Sequence, residues 1–153
     1  MALKVGDPAP EFDLTSADGR SLRSADFKGK QNVVIYFYPA DFTPVCTAEA
    51  CGFRDMYDDL RGKDTEIIGV SVDDDLKHKK FAAHHRLSFP LVADPERALA
   101  RRFDAAGGFN ALRGKSQRIT YVIGKDGRIA GVFDSALFAK RHLEGVREVL
   151  AKL

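Results

Sequence analysis

Two cysteines, the only two in the chain, stand five positions apart in Pro39-Ala40-Asp41-Phe42-Thr43-Pro44-Val45-Cys46-Thr47-Ala48-Glu49-Ala50-Cys51. A pair this close can be a disulfide, a metal clip, or two thiols of which one is a nucleophile. Thr43 and Pro44 read as the N-cap and first residue of a helix, which puts Cys46 at its third helical position. There the first-turn N–H groups lack intrahelical partners, and the partial positive charge of the helix end favours a thiolate over a thiol. The thiolate is the reactive form. Cys51 lies more than a turn deeper and receives little of that help. Arg118, at the opening of a later strand, is the candidate fixed cation, because an arginine stays charged and offers several donors. The plainer alternative makes Cys46 a small buried hydrophobe and Arg118 an ordinary strand-edge residue. Arg54, two turns into the helix, reads as structural.

The elements that must hold these residues follow from the periodicity. Asn32-Val33-Val34-Ile35-Tyr36-Phe37-Tyr38 is a near-continuous apolar run ended by Pro39, as expected of a central strand covered on both faces. The helix predicted after it spans about Pro44 to Leu60, so Cys46 sits at the carboxyl edge of that strand, where α/β folds bind ligands. Glu66 to Val72 is a second buried strand, and Asp73-Asp74-Asp75 caps a helix running to about His85. Phe89 to Val92 reads as a short strand, followed by a helix from Pro95 to Phe103 and a mobile loop reaching Lys115. Arg118 to Phe133 forms a hairpin around Lys125-Asp126-Gly127-Arg128, and a last helix runs from about Phe138 to Lys152. A hairpin also stands near the N-terminus, around Asp18-Gly19. The order predicts an α/β, thioredoxin-like fold: a mixed central sheet flanked by helices, with an N-terminal β-hairpin.

The bulk properties narrow the class. At 153 residues with 44% hydrophobic and 30% charged residues, the chain reads as one domain, 1–153, with a sizeable core. A net charge of +2 with interspersed signs argues against a nucleic-acid surface, and Lys77-His78-Lys79-Lys80 reads as a solvated helix face. No apolar run reaches the ~18 residues of a membrane span, and Met1 to Pro8 lacks the apolar core of a secretory signal. The expectation is a cytoplasmic protein in a reducing compartment, where a close cysteine pair is catalytic, redox-active or metal-binding rather than a permanent staple.

Pro39-x-x-x-Thr43-x-x-Cys46 resembles the peroxiredoxin signature. The longer run from Tyr36-Phe37-Tyr38-Pro39 through Thr43-Pro44-Val45-Cys46-Thr47 to Glu49-Ala50-Cys51-Gly52-Phe53-Arg54-Asp55 resembles the Q type, also called bacterioferritin comigratory protein. The similarity takes in Val5-Gly6-Asp7-Pro8-Ala9-Pro10 and Arg118-Ile119-Thr120-Tyr121-Val122-Ile123, nearly the whole chain. It implies a thiol peroxidase without metal, haem or flavin, acting on hydrogen peroxide or organic hydroperoxides. Cys46 would be the peroxidatic cysteine that becomes a sulfenic acid. Thr43 and Arg118 would hold the sulfur and the peroxide oxygens, and Pro39 would shield the sulfenic acid from water. Cys51 would resolve it as an intramolecular disulfide, which thioredoxin or a similar thiol donor reduces. The resemblance further implies a monomer or weak homodimer.

Val45 departs from the glycine usual after the proline in this type, and the 103–115 loop lacks the aromatic-rich version expected there. Rival readings on the same fold are a copper-handling protein and a dithiol oxidoreductase. The first needs a histidine partner, yet His78, His84, His85 and His142 each read as surface helix residues. The second uses Cys-x-x-Cys, a shorter spacing than the one here. An interaction domain with incidental cysteines is the non-enzymatic alternative. Helix geometry adds a constraint: five residues span about 7.5 Å of rise and about 140° of rotation, so the two Cα atoms would be roughly 8–9 Å apart. A disulfide needs them within about 7 Å. An intact helix and a Cys46–Cys51 bond therefore exclude each other.

Overall fold

The computed structural model describes residues 3–153; Met1 and Ala2, which open the segment read above for a secretory signal, lie outside the described residues. The apolar run forms β3 (Asn32–Phe37), with all six residues buried. Its neighbours complete a five-stranded sheet: β4 (Thr65–Ser71), β5 (Leu91–Ala93), β6 (Ile119–Ile123) and β7 (Ile129–Asp134), in the order β5-β4-β3-β6-β7. β3, β4 and β5 run parallel, while β6 is antiparallel to β3 and β7 is antiparallel to β6. Ahead of the sheet, β1 (Asp13–Thr15) and β2 (Ser21–Arg23) pair as the expected hairpin, followed by the single turn of α1 (Ser24–Phe27).

Side chains of a strand alternate between faces, so β3 feeds two cores. Val33, Ile35 and Phe37 join Phe12, Leu22, Leu99, Phe103 and Tyr121 on one face. Val34 and Tyr36 join Ala50, Phe53, Phe81, Phe89 and Val146 on the other. The second face is covered by α2 (Pro44–Arg61), α3 (Asp75–His85) and α5 (Ala139–Ala151). This double burial is why the strand carries no polar alternation.

Two expected elements are shorter or shifted. The strand near Phe89 is Leu91–Ala93; Phe89 and Pro90 are buried ahead of it, and the Pro90 carbonyl already accepts from the Gly69 N–H of β4 at 3.1 Å. The helix expected from Pro95 to Phe103 is only α4 (Ala98–Arg102). The Asp94 carboxylate accepts the N–H groups of Leu99 (3.1 Å) and Ala100 (2.9 Å), satisfying the first-turn donors from four residues upstream of the helix. Pro95 to Arg97 become a turn, with Arg97 in the left-handed region at φ 58°. Within the 103–115 loop, Phe109–Arg113 form a 3₁₀ turn.

Candidate active site

The loop between β3 and α2 is clamped before it reaches the helix. Phe42 adopts φ 64°, a left-handed conformation that costs a side-chain-bearing residue about 1–3 kcal/mol. The neighbours hold it there. The Asp41 N–H donates to Asp73 Oδ2 (2.7 Å), and the Tyr38 hydroxyl donates to Asp41 Oδ1 (2.5 Å). Asp41 Oδ2 lies 2.6 Å from His78 Nδ1, and His78 Nε2 donates to the Val92 carbonyl at 3.1 Å. His78 is fully buried and not a solvated surface residue as the lysine-rich run implied. A helix turns about 100° per residue, so one position in a charged run can face the core.

Thr43 then takes the N-cap position with extended backbone, and Pro44 opens α2. The Thr43 side chain makes neither of the two contacts considered from sequence: its hydroxyl donates back to the Ala40 carbonyl at 2.9 Å. That bond spends the hydroxyl proton and leaves the oxygen as an acceptor. Pro39 is half-buried where the strand ends. Val45 is half-buried in a regular first turn, so it does not break the helix start.

Cys46 is buried, with 1% of its surface exposed, two residues into the helix from Pro44. Register does the rest. Phe37 pairs with Ile119, which sets Arg118 beside the end of β3 and over the helix start. The guanidinium uses three donors: Nη2 to Cys46 Sγ (3.0 Å), Nη1 to Glu49 Oε1 (3.0 Å) and Nε to the Ala136 carbonyl (3.0 Å). With Arg118 only 5% exposed, its charge acts on the sulfur with little solvent screening. The sulfur at the helix start thus faces a fixed positive charge held by three hydrogen bonds.

Glu49 is the residue sequence reading passed over. It lies three positions after Cys46, on the same helix face, and is fully buried. Burial outweighs the attraction and hydrogen bond of Arg118 and lifts its carboxyl to about 7. The surroundings agree with a carboxyl that holds its proton. His142 Nε2 donates to the Ser135 carbonyl (2.9 Å), and burial keeps the ring below the ordinary histidine value and neutral. Its Nδ1 is then an acceptor, 2.8 Å from Thr120 Oγ1 and 3.4 Å from Glu49 Oε2. A deprotonated Oε2 would face that lone pair with no hydrogen-bond partner, and a proton there relieves the clash. His142 too is buried and not a surface residue.

Cys51 is half-buried in the same unbroken helix, and both cysteines are free thiols. Its Sγ lies 3.8 Å from His85 Nδ1 and 3.6 Å from Arg54 Nη1. Gly52 beside it allows α5 to approach closely, since a Cβ there would lie 2.2 Å from Leu143 Cδ1. Of the four histidines, only His84 is exposed; His85 is half-buried. Among the described residues, no group of three His, Cys, Asp or Glu side chains is arranged to hold a metal ion.

Residues 5–132 match the AhpC/TSA family model. The chain belongs to that family. Among its relatives are the peroxiredoxin Bcp of Bacillus subtilis, 41% identical over 84% of this chain and 83% of that protein, and the peroxiredoxin Bcp of Escherichia coli K12, 38% identical over 92% and 91%. The chloroplastic peroxiredoxin Q of Populus jackii is 37% identical over 97% of this chain and 68% of its own longer length. In structure, the peroxidoxin BcpB of Mycobacterium tuberculosis superposes with a TM-score of 0.87 at 31% identity, covering 99% and 98% of the two chains. The bacterioferritin comigratory protein of Xanthomonas campestris, studied for its alkyl peroxide reduction activity, gives 0.83 at 27% identity over 98% and 96%. This peroxiredoxin is of the Q type, a thiol-dependent peroxidase on a thioredoxin-like fold with an N-terminal hairpin. It acts on peroxide and is reduced by a thiol donor. Among the described residues, no helix is long and apolar enough to cross a membrane.

Proposed function

We propose that this peroxiredoxin reduces hydrogen peroxide and organic hydroperoxides with Cys46 as the peroxidatic thiolate and Cys51 as the resolving thiol. The observation that carries the reading is the Arg118 Nη2 to Cys46 Sγ contact at 3.0 Å, in a buried site at a helix start. The Cys46 thiolate attacks one peroxide oxygen: the S–O bond forms, the O–O bond breaks, and the departing oxygen takes a proton to leave as water or alcohol. Arg118 and the first-turn N–H groups stabilise the charge that develops on that oxygen. Thr43 Oγ1, its own proton spent on Ala40, accepts the hydrogen of the incoming hydroperoxide. Pro39, without an N–H and at the strand end, limits the approach of water to the sulfenic acid.

Cys51 then attacks the sulfenic sulfur, a disulfide forms and water leaves. Thioredoxin or a similar dithiol returns both thiols, so all electrons come from thiols and the cycle needs no metal, haem or flavin. The two sulfurs cannot meet while α2 runs unbroken from Pro44, so the first turns must unwind before the bond forms. The rim fits an apolar substrate tail. Phe42 (47% exposed) precedes Thr43, and Leu137 and Phe138 (71% and 56%) follow the Ala136 carbonyl held by Arg118. One catalytic unit, 1–153, acting as a monomer or weak homodimer in the reducing cytoplasm is the setting that this chemistry fits.

The test mixes reduced protein with peroxide and follows peroxide loss and free thiols. Cys46→Ser should consume none; Cys51→Ser should react once and stop as a sulfenic or over-oxidised acid. An active Cys46→Ser variant sinks the assignment.

A further inference from the structure

Cys51 has neighbours that peroxide chemistry at Cys46 does not use. Arg54 Nη1 bridges two elements, donating to Cys51 Sγ (3.6 Å) and to the carbonyl of His85 (2.9 Å) at the end of α3. An arginine only donates, so it takes a sulfur lone pair and leaves the S–H to find another acceptor. His85 Nδ1, 3.8 Å from the sulfur, is placed to be that acceptor. Phe81 packs edge-on against the imidazole at 5.0 Å between ring centroids, and Phe42 lies at 6.3 Å, which fixes the ring's orientation.

We propose that His85 is the base that takes the Cys51 proton, with Arg54 holding the thiolate left behind, so that the resolving thiol is activated while α2 is still folded. The inference rests on Cys51 being the resolving cysteine. The charged and titratable groups around the pair are Arg54 and Asp55 on α2, themselves paired at 3.0 Å, and His84 on α3, its ring 4.7 Å from that of His85. Desolvation, His84 and the Arg54 guanidinium hold His85 below the ordinary histidine value, which keeps it neutral and able to accept. Cys51 gives its proton to Nδ1. Its thiolate, freed when the helix start unwinds, attacks the Cys46 sulfenic sulfur: the S–S bond forms and the S–O bond breaks. The departing hydroxide takes a proton from solvent, to which His85 returns its own, and the net product is one water.

Alkylation isolates the activation step. In a Cys46→Ser background, the iodoacetamide rate at Cys51 is measured by mass spectrometry at about pH 7 and at about pH 10, well above the ordinary thiol value of about 8.5. The ratio of the two rates cancels changes in access. It should fall roughly fivefold in both His85→Ala and His85→Gln, because a thiol without a base ionises late. Added imidazole should restore the neutral-pH rate of His85→Ala. With both cysteines present, dimedone trapping in quenched flow should show the sulfenic acid living roughly fivefold longer in the variants. An unchanged ratio, a fall that imidazole does not repair, or faster disulfide formation in the variants overturns the proposal; the last would make the contacts a latch. If the wild type forms no Cys46–Cys51 disulfide, the resolving role fails, and the alkylation ratio still decides what His85 does.

Discussion

The two cysteines share one helix and live in opposite surroundings. Cys46 is sealed at the helix start and gripped from the residue before β6 by an arginine that donates to three partners at once. Cys51 is half-open, touched by Arg54 of its own helix at 3.6 Å and by His85 of α3 at 3.8 Å. The difference fits the two tasks proposed for them. A thiolate that must attack a small peroxide needs preorganised charge in a dry site. A thiol that must travel several ångströms is better held by contacts that are weak and replaceable. The contacts that hold Cys46 come from the sheet, while the release proposed for Cys51 depends on how firmly α2 packs on its neighbours.

The largest effect should come from breaking the rigid end outright: Cys46→Ser should leave peroxide loss at the uncatalysed rate in a coupled peroxide assay. Arg118→Ala keeps the nucleophile but removes its cation and should lower kcat/KM by about 10²–10³, with Arg118→Lys recovering little because an ammonium cannot reach three partners. Beside Cys51, Gly52→Ala should displace the Leu143 side chain from its seat on α2. Its Cβ would overlap Leu143, and overpacking of this kind costs about 1–3 kcal/mol, read as a lower Tm. Leu143→Ala added to it should return part of the loss if the clash is the cause.

The smallest effect is a slope. Glu49 titrates at about 7 in the fold against 4.5 as an ordinary side chain, so the folded state binds its proton more tightly. Its stabilising contribution is complete below about pH 4 and is lost as pH rises through about 7. Glu49→Gln, which still accepts from Arg118, should flatten that part of a Tm-against-pH curve between about pH 5 and 8. An unchanged slope would mean that Arg118 keeps Glu49 ionised throughout.

Some of this was legible in the chain and some was not, for local reasons. β3 was readable because burial on both faces removes the polar alternation. The start of α2 was readable because Thr43-Pro44 is a local stop-and-start signal. Asp74 caps α3 as expected, accepting from the Lys77 N–H at 2.8 Å. Asp94 was missed because its carboxylate caps from a distance and turns Pro95 to Arg97 out of the helix. His78 and His142 were misread because charged neighbours say nothing about the one position that faces inward. Glu49 had a signal, an acid at i+3 from Cys46 on an apolar face, that needed only the helix wheel.

By itself the sequence determined which atoms are proposed to react: a cysteine at a proline-started helix, a second cysteine out of its reach, and a family resemblance that named the chemistry proposed for them. Tertiary structure alone decided what surrounds them. Arg118 meets Cys46 across 72 positions of chain because the register of β6 on β3 puts it there. His85 meets Cys51 across 34 because α3 ends against α2. Helix starts and strand runs depend on near neighbours, and so can be read in order. Charge partners depend on how sheets and helices stack, which no local spacing encodes.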